Sequence, residues 1–206
     1  YRKWAGHKPP TNNAPLREGK GKLYEGGVRV PLIVRYPGRV QPGMTSDAIV
    51  GCTDVYPTVL DLAGVARNPA QVMDGISYAP VLRGTAAGAR DSYVIWAPGR
   101  PHGVSAYAGD WKLIRREEPA PEEPGATRQL YNLADDLGET TNLAATRPDK
   151  VKELESIIDR FLVDTKAVVP RPNPAYRGAS ATTDGDAFAG LVSQKCKATP
   201  IEGGYR

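Results

Sequence analysis

Four glycines within nine residues constrain this chain more than any other feature: Gly19 and Gly21 flank Lys20, and Gly26 and Gly27 turn the backbone toward the apolar run Val28–Tyr36. Glycine on both sides of a lysine removes the neighbouring Cβ atoms, so the ammonium and nearby backbone N–H groups can approach an anion closely. From the tripeptide alone, a solvated loop lysine is the favoured reading, and only the surrounding residues reverse it.

The 206 residues suffice for one domain, or a domain with a small appendage. Hydrophobic content of 40% and charged content of 24% belong to a soluble globular chain, and 22 Gly with 19 Pro make it rich in turns. The net charge is +4, yet charges of both signs are spread along the chain. No Lys/Arg run with interleaved aromatics occurs, so a nucleic-acid partner is not expected. No apolar run of about 18 residues is present, and no transmembrane segment is expected. The chain opens on Tyr-Arg-Lys-Trp without a Met and reads as the middle of a larger protein, so the lack of a visible signal peptide carries no weight. Cys52 and Cys196 have neither metal nor redox spacing; Cys52 is expected to be a small buried residue beside a helix start.

Residues 1–22 lack periodicity and read as a long loop, a kind of segment that is often functional. Val28–Tyr36 is a strand candidate with Leu32, Ile33 and Val34 buried. Thr53 or Asp54 caps a helix to about Ala63, with Val55, Val59, Leu60 and Leu62 on its apolar face and Gly64 as its stop. A short helical piece spans Tyr78–Leu82. Strand followed by helix gives an α/β first part, 1–88. From Asp91 the pattern changes to strands at Ser92–Trp96, Val104–Tyr107, Trp111–Arg115 and Gln129–Leu133, with Gly109-Asp110 as a hairpin turn. Pro148 opens a helix with Val151, Leu154, Ile157, Ile158, Phe161 and Leu162 on one face, expected to pack across the small sheet. Residues 89–167 thus form an antiparallel sheet and helix subdomain, and 168–206 an extended C-terminal tail.

Several blocks together resemble the type I sulfatases, arylsulfatase-like members of the alkaline phosphatase superfamily. Pro10–Arg17, Gly19-Lys20-Gly21 and Tyr24-Glu25-Gly26-Gly27-Val28-Arg29-Val30-Pro31 resemble the family block that supplies a sulfate-contacting lysine. Thr53–Gly64 resembles the helix after it. Asp74-Gly75, Gly109–Ile114 and Leu130–Leu133 with Asp136, Gly138, Glu139 and Asn142 resemble the C-terminal subdomain. The resemblance covers residues 9–176 and implies the C-terminal part of an alkaline phosphatase-like α/β fold. It implies hydrolysis of carbohydrate or aryl sulfate esters, a calcium ion, and a formylglycine made from Cys or Ser. Only the family lysine maps here, onto Lys20. Neither cysteine sits in a formylglycine motif and no Asp-Asn-Gly calcium motif is present, so nucleophile and metal ligands are expected upstream and the isolated chain is expected to be inactive. Periplasmic or secreted residence follows from the family alone.

Lys20 is therefore the catalytic and sulfate-binding candidate. Arg17 either reaches the anion or packs. His7, in the first loop, and His102, in a loop between strands, are substrate-contact candidates beside the reading of exposed loop histidines. Glu25 and Arg29 are read as an ion pair holding the Lys20 loop. Trp96 and Trp111 are read as core. A phosphodiesterase or phosphonate hydrolase of the same superfamily, and a non-catalytic carbohydrate-binding remnant, are the alternatives.

Overall fold

The computed structural model describes residues 12–97, 103–117, 119 and 124–169, and every element below lies in the unit Tyr1–Pro170. Between Ser92 and Asn132 four strands pair antiparallel in sequence order: β1 (Ser92–Ala97), β2 (Gly103–Ala108), β3 (Trp111–Arg116) and β4 (Arg128–Asn132). Gly109 turns β2 into β3 with φ +55, a left-handed backbone that glycine adopts without a Cβ penalty. The turn sets the register, placing Ala108 opposite Trp111 and Tyr107 opposite Lys112.

Strand side chains alternate between faces. One face carries Val104, Ala106, Leu113 and Leu130, packed on Leu154 and Ile158 of α4 (Pro148–Asp164), with Trp96 and Trp111 at its margin. Arg115 pairs with Asp159 at 2.6 Å and Arg128 pairs with Glu155, fixing the crossing of α4 over β3 and β4. The other face carries Ile114 and Tyr131, covered by Leu23 and Tyr24 from the first loop. The sheet is thus sandwiched between α4 and the segment that carries Lys20.

The remaining elements are short: α1 (Glu25–Val28), a 3₁₀ turn at Cys52–Asp54 running into α2 (Val55–Ala63), and α3 (Ala79–Leu82). Gly64 ends α2 at φ +69. Asp54 is fully buried; its carboxylate accepts the N–H groups of Gly51 (2.7 Å) and Ile76 (2.9 Å) and pairs with Arg90. Asp54 stands at the N-cap of α2, the expected position, but its side chain makes no bond to that helix; it holds the 3₁₀ turn instead and ties it to the chain entering β1.

Four expectations are corrected. Val28–Tyr36 forms no strand: Val28 closes α1, and Leu32 and Ile33 are exposed, Ile33 at 89%. A strand needs a neighbour to satisfy its backbone groups, and no described segment pairs with this run. The buried side of α2 is Pro57 and Thr58, while Val55 and Val59 face outward, because Asp54, α3 and the Thr58 hydroxyl, hydrogen-bonded to the Asp54 carbonyl and the Tyr78 N–H, pull that side in. Cys52 is exposed, since the buried position of its turn belongs to Asp54. Phe161 is only half-buried and stands outside the cluster built on Leu154 and Ile158, because Leu162, one residue on, is the side chain that this turn of α4 packs against it.

Candidate functional site

Lys20 sits on a loop clamped from beneath. Gly19 is buried, Lys20 is exposed, and Gly21 takes φ +89. The N–H of Gly26 donates to the Arg17 carbonyl at 2.9 Å and that of Lys22 to the Gly19 carbonyl at 3.1 Å. Asn13 Nδ2 donates to the carbonyls of Glu18 (3.1 Å) and Gly26 (3.2 Å). Gly26 and Gly27 are glycines for lack of space: a Cβ on Gly26 would overlap the carbonyl oxygens of Arg17 and Glu18, and one on Gly27 that of Lys22. Gly27→Ala is accordingly expected to cost about 1–3 kcal/mol, because the obstacle is backbone that cannot swing aside. An unchanged thermal midpoint for that variant would contradict the close packing.

Below the loop lies a buried ionic cluster. Lys112, fully buried on β3, donates from Nζ to Glu25 Oε1 at 3.0 Å and to Glu139 Oε1 at 2.6 Å. Tyr107 on β2 donates its hydroxyl to Glu25 Oε1 at 2.9 Å. Glu139 Oε2 accepts the Glu25 N–H at 2.6 Å, at the start of α1. Arg29 Nε, one turn on, donates to Glu25 Oε2 at 2.6 Å, the expected ion pair. Burial pushes the Glu25 carboxyl up, but the charges and hydrogen bonds of Lys112 and Arg29 outweigh it and hold Glu25 below the usual carboxylate range. For Glu139 burial prevails over Lys112 and the Glu25 N–H, with the Glu25 charge adding to it, so its carboxyl titrates above the usual range. Burial, then the Glu25 charge, raises the Tyr107 hydroxyl far above its ordinary value.

Arg17 is braced within the fold. Its guanidinium lies 4.0 Å from the centroid of the buried Tyr24 ring and donates to the Tyr131 hydroxyl (3.1 Å) and the Glu139 carbonyl (2.8 Å). Among the described residues Lys20 has no hydrogen-bond or ion-pair partner, so its charge is directed outward from a rigid base. His7 and His102 lie outside the described residues, as does Cys196. Trp96 and Trp111 border the α4 core, as expected.

No group of three or more His, Cys, Asp or Glu among the described residues is placed to hold a metal ion. Glu25 and Glu139, the carboxylates of the cluster beneath the loop, are committed to Lys112 and do not fit a calcium site. A shallow groove of about 720 Å³ opens elsewhere, beside Thr45, Asp47, Arg90 and Asp110, and no Lys20-loop residue lines it. No described helix is long and apolar enough to cross a membrane.

Sequence reasoning missed Lys112, Tyr107 and Glu139 as parts of the site. A signal was present: alternation puts Lys112 on the opposite face from Trp111 and Leu113, beside Ile114, where a charge requires buried partners.

Residues 19–166 match the family described as N-sulphoglucosamine sulphohydrolase, C-terminal. The chain belongs to the sulfatase family. A Formosa agariphila protein named sulfatase is 42% identical over 161 residues, covering 70% of this chain and 28% of that protein. Arylsulfatase K of Danio rerio is 31% identical over 156 residues, covering 72% and 28%. A solved structure described under the metabolism of multiple glycosaminoglycans by Bacteroides thetaiotaomicron is 26% identical, with TM-score 0.60 over 71% of this chain and 32% of that one. Another, in complex with its substrate D-glucosamine-2-N,6-O-disulfate, is 28% identical, with TM-score 0.53 over 65% and 28%. This sulfatase chain thus spans under a third of the length of the relatives it matches. The four-stranded sheet with its crossing helix lies within the matched residues.

Proposed function

We propose that this chain is the part of a sulfatase that presents a sulfate-binding lysine, and that the whole protein hydrolyses sulfate esters of a carbohydrate or aryl alcohol. The match of residues 19–166 to the sulphohydrolase C-terminal family carries this reading. The clamped loop supports it, because an ammonium held on a rigid base at low reorganisation cost stabilises developing charge better than a mobile one. Lys20 Nζ would bind sulfate oxygens and stabilise charge as the S–O bond to the alcohol breaks. Gly19 and Gly21 would leave the approach clear. Sulfated carbohydrate is the favoured class, since a structural relative was solved with a sulfated glucosamine.

Calcium and formylglycine, which the family resemblance implies, would have to come from polypeptide outside these 206 residues. The isolated chain is accordingly expected to show no turnover. Periplasmic or secreted residence is part of the same proposal. Nothing among the described residues favours the phosphoryl or non-catalytic alternatives.

In the full-length protein, Lys20→Ala is expected to lower kcat/KM for a sulfate ester by about 10²-fold, the effect of removing one oxyanion-type donor. Steady-state kinetics with an aryl sulfate and a sulfated monosaccharide, beside a phosphate diester control, measures it. Near wild-type activity of that variant, or a preference for the phosphate diester, would overturn the reading.

A further inference from the structure

Resting on the reading of Lys20 as the anion-binding group, we propose that Lys112, Glu25, Glu139 and Tyr107 form a buried positioning device that sets where the Lys20 ammonium stands relative to the sheet.

The mechanical path is continuous. Carbonyls of Arg17, Glu18, Gly19 and Lys22 close directly onto the backbone of Gly26 and Gly27, so the Lys20 loop and α1 move as one piece. The first residue of α1 is Glu25, and three of the bonds that hold it come from elsewhere in the fold: Tyr107 on β2 (2.9 Å), Lys112 on β3 (3.0 Å), and Glu139 on the loop after β4, which takes the Glu25 N–H (2.6 Å). Moving Lys20 against the sheet therefore requires breaking charge-assisted bonds in a dry interior.

A second observation points the same way. Glu139 is fully buried with φ +53, a left-handed backbone unusual for glutamate. All of its polar groups are engaged there: Lys112 and the Glu25 N–H on the carboxylate, and Arg17 on its carbonyl. The adjoining turn is fixed by Asp136, whose carboxylate accepts the N–H groups of Thr140 (2.8 Å) and Thr141 (2.9 Å). An apolar pair of similar volume would serve stability as well as a buried ionic cluster does, so holding the clamp in one register is what the charges add.

Glu139 and Lys112 touch no substrate in this scheme; they act through Lys20. A double-mutant cycle in the full-length sulfatase tests that. Glu139→Gln keeps an acceptor for the Glu25 N–H and removes the charge that holds Lys112. It is expected to lower kcat/KM for the sulfate ester about tenfold, since small misplacements of a binding group carry losses of this order. In the Lys20→Ala background the same change is expected to alter kcat/KM by less than about twofold, because nothing is left to position. Tyr107→Phe, which removes one hydroxyl, serves in the same cycle should Glu139→Gln fail to fold, with an expected loss of about threefold that also vanishes with Lys20 absent.

A loss undiminished in the Lys20→Ala background would overturn the proposal, as would a folded Glu139→Gln enzyme of wild-type kcat/KM and lowered melting temperature. In both cases a damaging Lys20→Ala would leave the reading of Lys20 standing. A harmless Lys20→Ala would instead remove that reading, and the positioning role with it.

Discussion

Lys112→Met is expected to destabilise the fold by about 3–5 kcal/mol at neutral pH, the range for removing one partner of a buried ion pair. The size follows from what remains. Glu25 retains Arg29 and the Tyr107 hydroxyl, but Glu139 loses its cation and retains only the Glu25 N–H on its carboxylate. Methionine fills most of the space left by the lysine stem, so the loss is electrostatic rather than a cavity. A pH signature separates the two. In the wild type, the depressed Glu25 carboxyl contributes stability present above its ordinary value of 4.5 and lost as pH falls through its lower folded value. The raised Glu139 carboxyl has the opposite sign: its contribution is full below 4.5 and declines as pH rises through its higher folded value. Without Lys112 both carboxyls rise relative to the wild type, so low pH favours the variant more than it favours the wild type. The deficit of Lys112→Met should therefore shrink toward pH 4.5 and grow toward pH 7. Denaturant midpoints at the two pH values measure it, and adding Glu139→Gln should restore part of the loss at pH 7. A deficit below about 1 kcal/mol, or one independent of pH, would show that water reaches the cluster.

What could be read in advance divides along physical lines. The four strands, the Gly109-Asp110 turn and α4 were legible because alternation of period 2 and a helical apolar stripe are local signals. The packing of both sheet faces follows from them once the register is known. The Val28–Tyr36 run was misread because its residues carry strand preference while pairing depends on a neighbour, and preference alone supplies no ladder. The Lys20 loop was legible as a candidate through the sulfatase-like block around it. Its clamp was not, since Lys112 and Glu139 lie 92 and 119 positions further along the chain and nothing local joins them to it. Arg17 shows the same limit: a guanidinium three residues from Lys20 reads equally as an anion contact or as a brace, and its contacts with Tyr24, Tyr131 and the Glu139 carbonyl could not be read from the sequence.

Helix α4 offers a sharper test of how its own apolar stripe should be weighed. Leu154, Ile158 and Phe161 fall on one face, and by size Phe161 would be the residue whose truncation harms most. The structure reverses that order. Ile158 is fully buried against Val104, Ala106, Leu113 and Leu130, where α4 crosses the sheet. Phe161 comes one turn later, half-buried and outside that cluster. Ile158→Ala removes methylene groups from a closed interior and leaves a cavity, for about 3 kcal/mol. Phe161→Ala exposes little that was dry and leaves a site open to water, for about 1 kcal/mol. Chemical denaturation of the two variants should place Ile158→Ala well below Phe161→Ala in midpoint. Equal losses, or a larger one at Phe161, would mean that the end of α4 is covered by polypeptide beyond the residues described and that the core extends a full turn further than the sheet requires.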